Sequence, residues 1–235
     1  MDQVIKTYSE KELLPKLIEW TKSRPDDIKA LYYLGNIAIA AGDITQAENT
    51  FNHALKVAKL PQDKAQLTSL LAASYYQRYV LDNSKKDYLD KAEATFLEVL
   101  KTAPRDVKTL NNLAYLYADD KDDPDKALPR AELAAKIQPD SNVLDTYGWV
   151  LLKKADHLSG NAQKDLYAQA QKVLERSVEL DPATANRYHM GCLYEKIGRT
   201  KDAKNLYQQV WELIRNKPTD PLYKPVKDAL DRLGR

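Results

Sequence analysis

Apolar residues recur at intervals of three and four positions along almost the whole chain, a spacing typical of amphipathic helices. Alternating runs with β-branched residues, which would predict strands, are few. Prolines follow one amphipathic segment and precede the next at Pro25, Pro104, Pro139 and Pro182. Since proline cannot continue a helix, these positions indicate connectors. The pattern predicts an all-α protein built from successive helices.

The helical segments repeat along the chain. Aligning "LYYLGNIAIAAGDITQAENTFNHAL" with "LNNLAYLYADDKDDPDKALPRAELA", "LDTYGWVLL" and "RYHMGCLYEKIGRTKDAKNLYQQV" places a small residue at one shared position, and "TSLLAASYY" fits between the first two. These small residues, at steps of 34 to 43 positions, are Gly35, Ala72, Ala114, Gly148 and Gly191. A second alanine position begins the other half of each unit, at Ala47, Ala92, Ala127, Ala170 and Ala203.

This arrangement resembles the tetratricopeptide repeat (TPR), whose period is 34 residues. The resemblance covers about Ile28 to Lys217 and implies a right-handed α-solenoid of antiparallel helix pairs, with five repeats in a single domain, 1–235. We expect repeats at 28–61, 65–104, 107–139, 141–182 and 184–217. Residues 1–27 would form an N-terminal helix or partial repeat, and residues 219–235 a capping helix.

The small residues are expected where the first helix of a repeat, helix A, closely meets the second, helix B. A glycine inside a helix costs about 1 kcal/mol relative to alanine. Closer packing would offset that cost at Gly35, Gly148 and Gly191. Three departures from the repeat pattern are Thr68, Arg187 and Pro129, the last of which is expected to kink or delay its helix.

The ends and two insertions extend this pattern. Leu13, Leu17 and Trp20 are spaced as in a lone helix B, with Ser9 and Glu12 as a capping box. The segments 77–91 and 153–169 lengthen the second and fourth units. Two readings of these insertions stay open, namely longer helical hairpins with solvated tips, or projections that contact a partner.

The resemblance also implies a concave groove lined by helix A side chains. Its amide and aromatic residues suit an extended peptide or a partner helix. Trp149 is our first choice for recognition; packing between successive A helices is the alternative reading for the aromatic residues. The mapped groove residues are Lys29, Tyr32 and Asn36, then Gln66, Ser69 and Tyr76, then Lys108, Asn111 and Tyr115, then Asp145, Trp149 and Lys153, and finally Tyr188, Cys192 and Glu195. Tyr32 stands where the chaperone-tail clamp of some family members has a lysine, which disfavours that partner.

Charge and residue chemistry narrow the function further. The net charge is +2 with the two signs interleaved, which argues against nucleic acid or a membrane surface as the main partner. His53, His157 and His189 share no metal-ligand spacing, and we expect them to be structural. Cys192 lacks a nucleophile signature. The run "ADDKDDPD" lacks the glycine of a calcium loop, so we expect Asp123 to cap a helix that begins at Pro124.

The sequence therefore predicts a non-catalytic scaffold or adaptor without cofactor or metal that binds a protein or peptide. Several segments are similar to bacterial TPR proteins of the cell envelope and polysaccharide export. The alternatives are a regulatory or docking domain of a larger enzyme, and self-assembly into a homo-oligomer. No apolar run could span a bilayer. The compartment stays open between the bacterial periplasm or envelope and the cytoplasm, because an upstream leader would lie outside this sequence.

Overall fold

The computed structural model describes residues 10–234, which form twelve α-helices and no strand within that range. The all-α solenoid class is confirmed. The proposed capping residue Ser9 and the segment before it lie outside the described residues. The helices are α1 (Glu10–Ser23), α2 (Ile28–Ala40), α3 (Ile44–Val57), α4 (Pro61–Leu81), α5 (Lys86–Thr102), α6 (Val107–Asp119), α7 (Pro124–Ile137), α8 (Ser141–Asp156), α9 (Gly160–Leu180), α10 (Thr184–Lys196), α11 (Thr200–Ile214) and α12 (Tyr223–Arg232).

The chain divides into two compact units, one ending at Thr109 and the other beginning at Leu110. In the first unit each helix from α1 to α4 packs on the next, and α2 also contacts α4. Its core joins Leu31 of α2 to Phe51 of α3 and to Leu67 and Leu71 of α4. Leu13 and Leu17 of α1 add a smaller cluster with Leu34.

The second unit follows the same order of packing. Each helix from α7 to α11 contacts its successor, and α8 also contacts α10. Tyr207 and Ile214 of α11 form a core with Val226 and Leu230 of α12. Helix α12 lies in the segment 219–235, for which the sequence predicts a capping helix, and it packs on α11. We call α2, α4, α6, α8 and α10 the A helices, and α3, α5, α7, α9 and α11 the B helices.

The predicted close contacts between A and B helices are confirmed at the glycines. A Cβ atom at Gly148 would lie 2.5 Å from Cγ of Leu174 on α9. The same test at Gly35 and Gly191 gives 2.3 Å to Phe51 and 2.6 Å to Tyr207. Because such distances are far below van der Waals contact, only glycine allows these helices to approach so closely. The second alanine position is fully buried in all five pairs, at Ala47, Ala92, Ala127, Ala170 and Ala203.

Both insertions lengthen helices. In the first, α4 runs to Leu81 and α5 starts at Lys86 after a short turn. In the second, α8 ends at Asp156 and α9 starts at Gly160. Both insertions therefore form longer helical hairpins, and α4 and α9 are each 21 residues long.

The start of α7 agrees with the sequence-based prediction, whereas the position of Trp20 in α1 does not. Asp123 accepts a hydrogen bond from the backbone N–H of Lys126, and Pro124 is the first residue of α7, as predicted. The helix continues through Pro129, so that proline does not delay it. The expectation for Trp20 is wrong. It is 41% exposed rather than part of the buried stripe, with the Arg24 guanidinium over its ring and its N–H donated to Asp27.

Candidate interaction surface

Helices α2 and α4 of the first unit enclose a cavity of about 460 Å³. Tyr32 and Tyr33 meet edge to face with ring centroids 5.5 Å apart, which gives the cavity an aromatic wall. Asp63 lies beside them and makes no hydrogen bond or ion pair with any described residue. Three predicted groove residues line this cavity, namely Lys29, Tyr32 and Gln66.

Three other predicted groove residues of this unit, Asn36, Ser69 and Tyr76, contact other residues of the protein. Asn36 donates its amide N–H to the backbone oxygen of Tyr32, one turn earlier. Ser69 is 9% exposed, and its hydroxyl lies 2.8 Å from that of Thr109. The sequence places Ser69 in an open groove, whereas the structure buries it in a contact between helices. Tyr76 is half-buried and stacks on Tyr79.

In the second unit, Trp149 and His189 form the centre of an aromatic cluster. The two rings stack at 4.3 Å between centroids, with an angle of 24° between their planes. Tyr115 and Tyr188 contact the same imidazole at 6.1 and 5.7 Å. Residues from α6, α8 and α10 therefore meet at one point, in the manner of successive A helices packed side by side.

A buried polar contact between His189 and Asp145 anchors this aromatic cluster. Nδ1 of His189 lies 2.8 Å from Oδ2 of Asp145, and the two side chains are only 4% and 9% exposed. The second carboxylate oxygen of Asp145 has no hydrogen-bond partner within residues 10–234. Burial raises the pKa of the Tyr115 hydroxyl well above its ordinary value, and the carboxylates of Asp119 and Asp145 raise it further. Asp145 and Tyr115 thus both contact His189 and hold the aromatic cluster in place between the packed helices.

The position of Trp149 corrects the sequence-based expectation. The residue is 9% exposed, and its indole N–H donates to Oδ1 of Asp119 at 3.2 Å. Lys153 lies 5.4 Å from the ring centroid and 3.8 Å from the same carboxylate. Packing between A helices therefore accounts for most of the Trp149 surface, and only its remaining edge reaches an open cavity.

That cavity lies between α8, α10 and α12 and has a volume of about 620 Å³. Its wall is apolar where Leu152, Tyr188, Pro225 and Ala229 line it. Charged side chains from all three helices complete the lining. Five predicted groove residues are brought together here, namely Trp149, Lys153, Tyr188, Cys192 and Glu195.

Ion pairs order the charged part of this lining. Arg232 of α12 donates two hydrogen bonds to Glu195 of α10, each 2.9 Å long, and this guanidinium lowers the pKa of the Glu195 carboxyl. Lys196 pairs with Asp156 at 2.8 Å. Bidentate contact between guanidinium and carboxylate fixes both side chains in one plane. The terminal helix is thus held to the A helices at the cavity rim.

Cys192 lies in the lining of the same cavity, beside the hydroxyls of Tyr188 and Tyr207. Burial raises the pKa of its thiol above the ordinary value of 9.0. A thiol with a raised pKa is a poor nucleophile at neutral pH, because only the thiolate reacts. The local chemistry of Cys192 is therefore that of a packing residue.

The histidines show structural roles. Nε2 of His53 lies 2.9 Å from the backbone oxygen of Pro25, and Nε2 of His157 lies 3.1 Å from Asp122. Within residues 10–234, no three His, Cys, Asp or Glu side chains converge as metal ligands would. None of the helices in the described range is long and apolar enough to cross a bilayer.

Sequence reasoning missed three residues that shape this surface. Asp119 lies at the end of α6 and accepts a hydrogen bond from the Trp149 indole. The position of Asp119 along its helix does not predict this contact. Asp228 and Arg232 line the second cavity from α12. The amphipathic pattern of α12 predicted a cap for the last repeat. A periodic apolar stripe identifies the packed face of a helix, but it does not show which charged neighbours reach an adjacent surface.

Comparisons with known proteins agree with this architecture. Two family models for the tetratricopeptide repeat match the chain, one at residues 28–59 and the other at residues 185–213. No curated protein sequence matches the chain. The narrower likeness to envelope and polysaccharide-export proteins finds no support.

Solved structures with the same fold come from distant sequences. The thermophilic TPR protein TTC0263 of Thermus thermophilus is 19% identical, with a TM-score of 0.62 over 86% of this chain and 98% of that one. Yeast Tom70 is 18% identical, with a TM-score of 0.62 over 97% of this chain and 45% of that one. Human IFIT1, in its dimer with m7Gppp-AAAA, is 14% identical, with a TM-score of 0.68 over 88% of this chain and 47% of that one.

This chain spans less than half the length of the last two proteins. Identities this low bear on the fold alone. The family matches at both ends of the repeat array, the glycine and alanine contacts between A and B helices and the shared fold lead to one conclusion: the chain carries tetratricopeptide repeats on an α-solenoid fold.

Proposed function

We propose that this protein is a non-catalytic scaffold that binds a peptide or a partner helix against its A helices. Tetratricopeptide repeats generally mediate protein–protein interaction, and proteins built from them are typically non-catalytic. One observation carries the proposal for this chain. The cavity between α8, α10 and α12 gathers five of the predicted groove residues around an apolar wall rimmed by ordered charges.

The arrangement suits a peptide because it combines two kinds of contact. Leu152, Tyr188 and Pro225 offer apolar area that a partner side chain can cover. The rim is polar, as in protein interfaces, where a buried apolar centre is surrounded by charged residues. Since the ion pairs already hold the rim in place, binding costs little side-chain entropy.

The charges of this cavity favour a protein over nucleic acid. Each cation in the lining has a carboxylate within 4 Å: Lys153 has Asp119, Lys196 has Asp156 and Arg232 has Glu195. Phosphate binding needs cations that are available to neutralise it. The IFIT1 structure contains a capped oligonucleotide, but the paired cations of this chain support a peptide partner instead.

Trp149 and Asp145 have an indirect role in this proposal. They hold α8 against α6 and α10 and thereby fix the cavity wall. Tyr188, Lys153 and Glu195 are the predicted residues that a partner would touch. The smaller cavity of the first unit offers Tyr32 and Gln66 in the same way.

The test is affinity capture from a native lysate, with bound proteins quantified by mass spectrometry. A variant with Gln66→Lys and Asp156→Lys changes exposed residues at the two cavities. A matched control, Gln208→Lys with Asp165→Lys, makes the same chemical changes on exposed positions of α11 and α9. Circular dichroism establishes that both variants are folded.

We expect the cavity variant to lose specific partners that the wild type and the control retain. Equal capture by all three proteins would overturn the proposal. Loss in the control alone would place the binding surface on the B helices. The alternative of a docking domain within a larger enzyme stays a prediction from sequence.

A further inference from the structure

One carboxylate in the lining of the cavity between α8, α10 and α12 is not paired with any described residue. Asp228 lies on α12 at the cavity rim and is exposed. It makes no hydrogen bond or ion pair with the described part of the chain. By contrast, Glu195 and Asp156 in the same lining are paired with Arg232 and Lys196. The charge that remains available in this cavity is therefore negative.

The wall next to this carboxylate is apolar rather than polar. Pro225 lies one turn before Asp228 on α12 and Ala229 follows it directly, while Tyr188 lines the cavity from α10. A lysine or arginine side chain matches this combination of properties, with an apolar stem and a charged head group. Its stem can cover the wall while its head group reaches the carboxylate.

We propose that this cavity binds a basic side chain, lysine or arginine, presented by the partner peptide. The proposal rests on the proposed function and names the chemistry of its anchor residue. The expected contact is a charge-assisted hydrogen bond from the partner's cationic group to Asp228, with its methylene groups packed on Tyr188 and Pro225.

Other occupants fit this cavity less well. An acidic side chain would have to displace Glu195 from two hydrogen bonds of 2.9 Å with Arg232. A wholly apolar side chain would cover Asp228 without providing a donor, and burying an unpaired carboxylate is costly. A cation pairs with Asp228, which is the one charged residue of this cavity without a partner among the described residues. It leaves the existing ion pairs intact.

The test uses fluorescein-labelled decapeptide pools and the full chain, with binding followed by fluorescence polarisation. The pools are random in neutral residues and differ at one central position, which is arginine, lysine, citrulline or glutamate. Citrulline is the matched control, because it keeps the shape of arginine without its charge. We expect the arginine and lysine pools to bind the wild type about tenfold more tightly than the citrulline and glutamate pools.

The variant Asp228→Asn should reduce this preference to less than about threefold, because it removes the charge and keeps the side-chain size. The control Asp165→Asn changes an exposed carboxylate on α9 that also lacks a partner among the described residues. It should keep the full preference. Raising the salt concentration should weaken the preference in the wild type, since an exposed ion pair is screened.

Three results would overturn the proposal. They are equal binding of all pools to the wild type, a preference for arginine that survives Asp228→Asn, and absence of binding by any pool. The lysate experiment separates this failure from that of the proposed function. Partners that depend on Gln66 and Asp156, but not on Asp228, would support a scaffold without a basic anchor.

Discussion

Nδ1 of His189 on α10 lies 2.8 Å from Oδ2 of Asp145 on α8, and the imidazole stacks on Trp149 at 4.3 Å. Two successive A helices are thus joined by a buried polar contact inside an aromatic cluster. In a solenoid, stability comes from contacts within repeats and between neighbouring repeats. This pair is therefore expected to control how firmly α8 and α10 are held together.

Replacing His189 should destabilise the second unit more than a conservative change of its partner. His189→Leu leaves the buried Asp145 carboxylate without a hydrogen bond, which should cost about 3 kcal/mol. Asp145→Asn keeps an acceptor for the imidazole and should cost about 1 kcal/mol. Urea denaturation followed by circular dichroism measures both values. Equal losses in the two variants would show that the polar contact contributes little.

Gly148→Ala should also destabilise the protein, although alanine favours helix formation. The new Cβ would lie 2.5 Å from Cγ of Leu174 and 3.3 Å from its backbone nitrogen. Overpacking costs about 1 to 3 kcal/mol, and the gain in helix propensity returns about 1 kcal/mol. We expect a net loss of about 1 to 2 kcal/mol in the free energy of unfolding.

The contact with Leu174 can be isolated by a double-mutant cycle. In the Leu174→Ala background the large side chain is gone, so Gly148→Ala should cost nothing or stabilise. If Gly148→Ala costs the same in both backgrounds, the glycine is needed for a reason other than this contact.

The thiol of Cys192 should react slowly in the folded protein. Burial raises its pKa, so the thiolate fraction at pH 8 is smaller than in the unfolded chain. Reaction with a chromogenic disulfide reagent should therefore be at least about tenfold slower in buffer than in urea. Rapid labelling of the native protein at pH 8 would contradict a buried thiol.

The raised pKa of Cys192 also makes the free energy of unfolding depend on pH, so that stability falls as the pH rises. Because the folded protein holds the thiol proton more tightly, the unfolded chain loses it first as the pH rises. This contribution is fully present below the unfolded pKa of about 9.0 and is lost as the pH rises from there through the higher pKa of the folded protein. Burial raises the pKa of Tyr115 and Tyr188 too, so their contributions fall at higher pH. Urea midpoints measured between pH 7 and 10 should decline above about pH 9.

The fold could be predicted from sequence because its determinants are periodic. Ala170 and Ala203 recur at one position and are fully buried, and Gly148 meets Leu174 as the repeat pattern requires. Long apolar stripes also revealed α12. The stripe failed at Trp20, where a cation and a capping aspartate hold the ring at the surface.

The candidate site was less accessible to sequence reasoning. Helix positions placed Trp149 near the groove, but its burial depends on Asp119, 30 residues away in the chain, and on His189, 40 residues away. Such contacts have no fixed spacing. Asp228 became visible only once the ion pairs of its neighbours were known. Which charged groups remain available is a property of the folded chain.

If partners bind against the A helices, hydrogen–deuterium exchange will locate the contact on those helices. Exchange would be compared for the full chain alone and with a captured partner. In the complex we expect slower exchange in α8, α10 and α12, where the 620 Å³ cavity lies, and unchanged exchange in α9 and α11. Protection confined to α9 and α11, or to the turns of the two long hairpins, would contradict it.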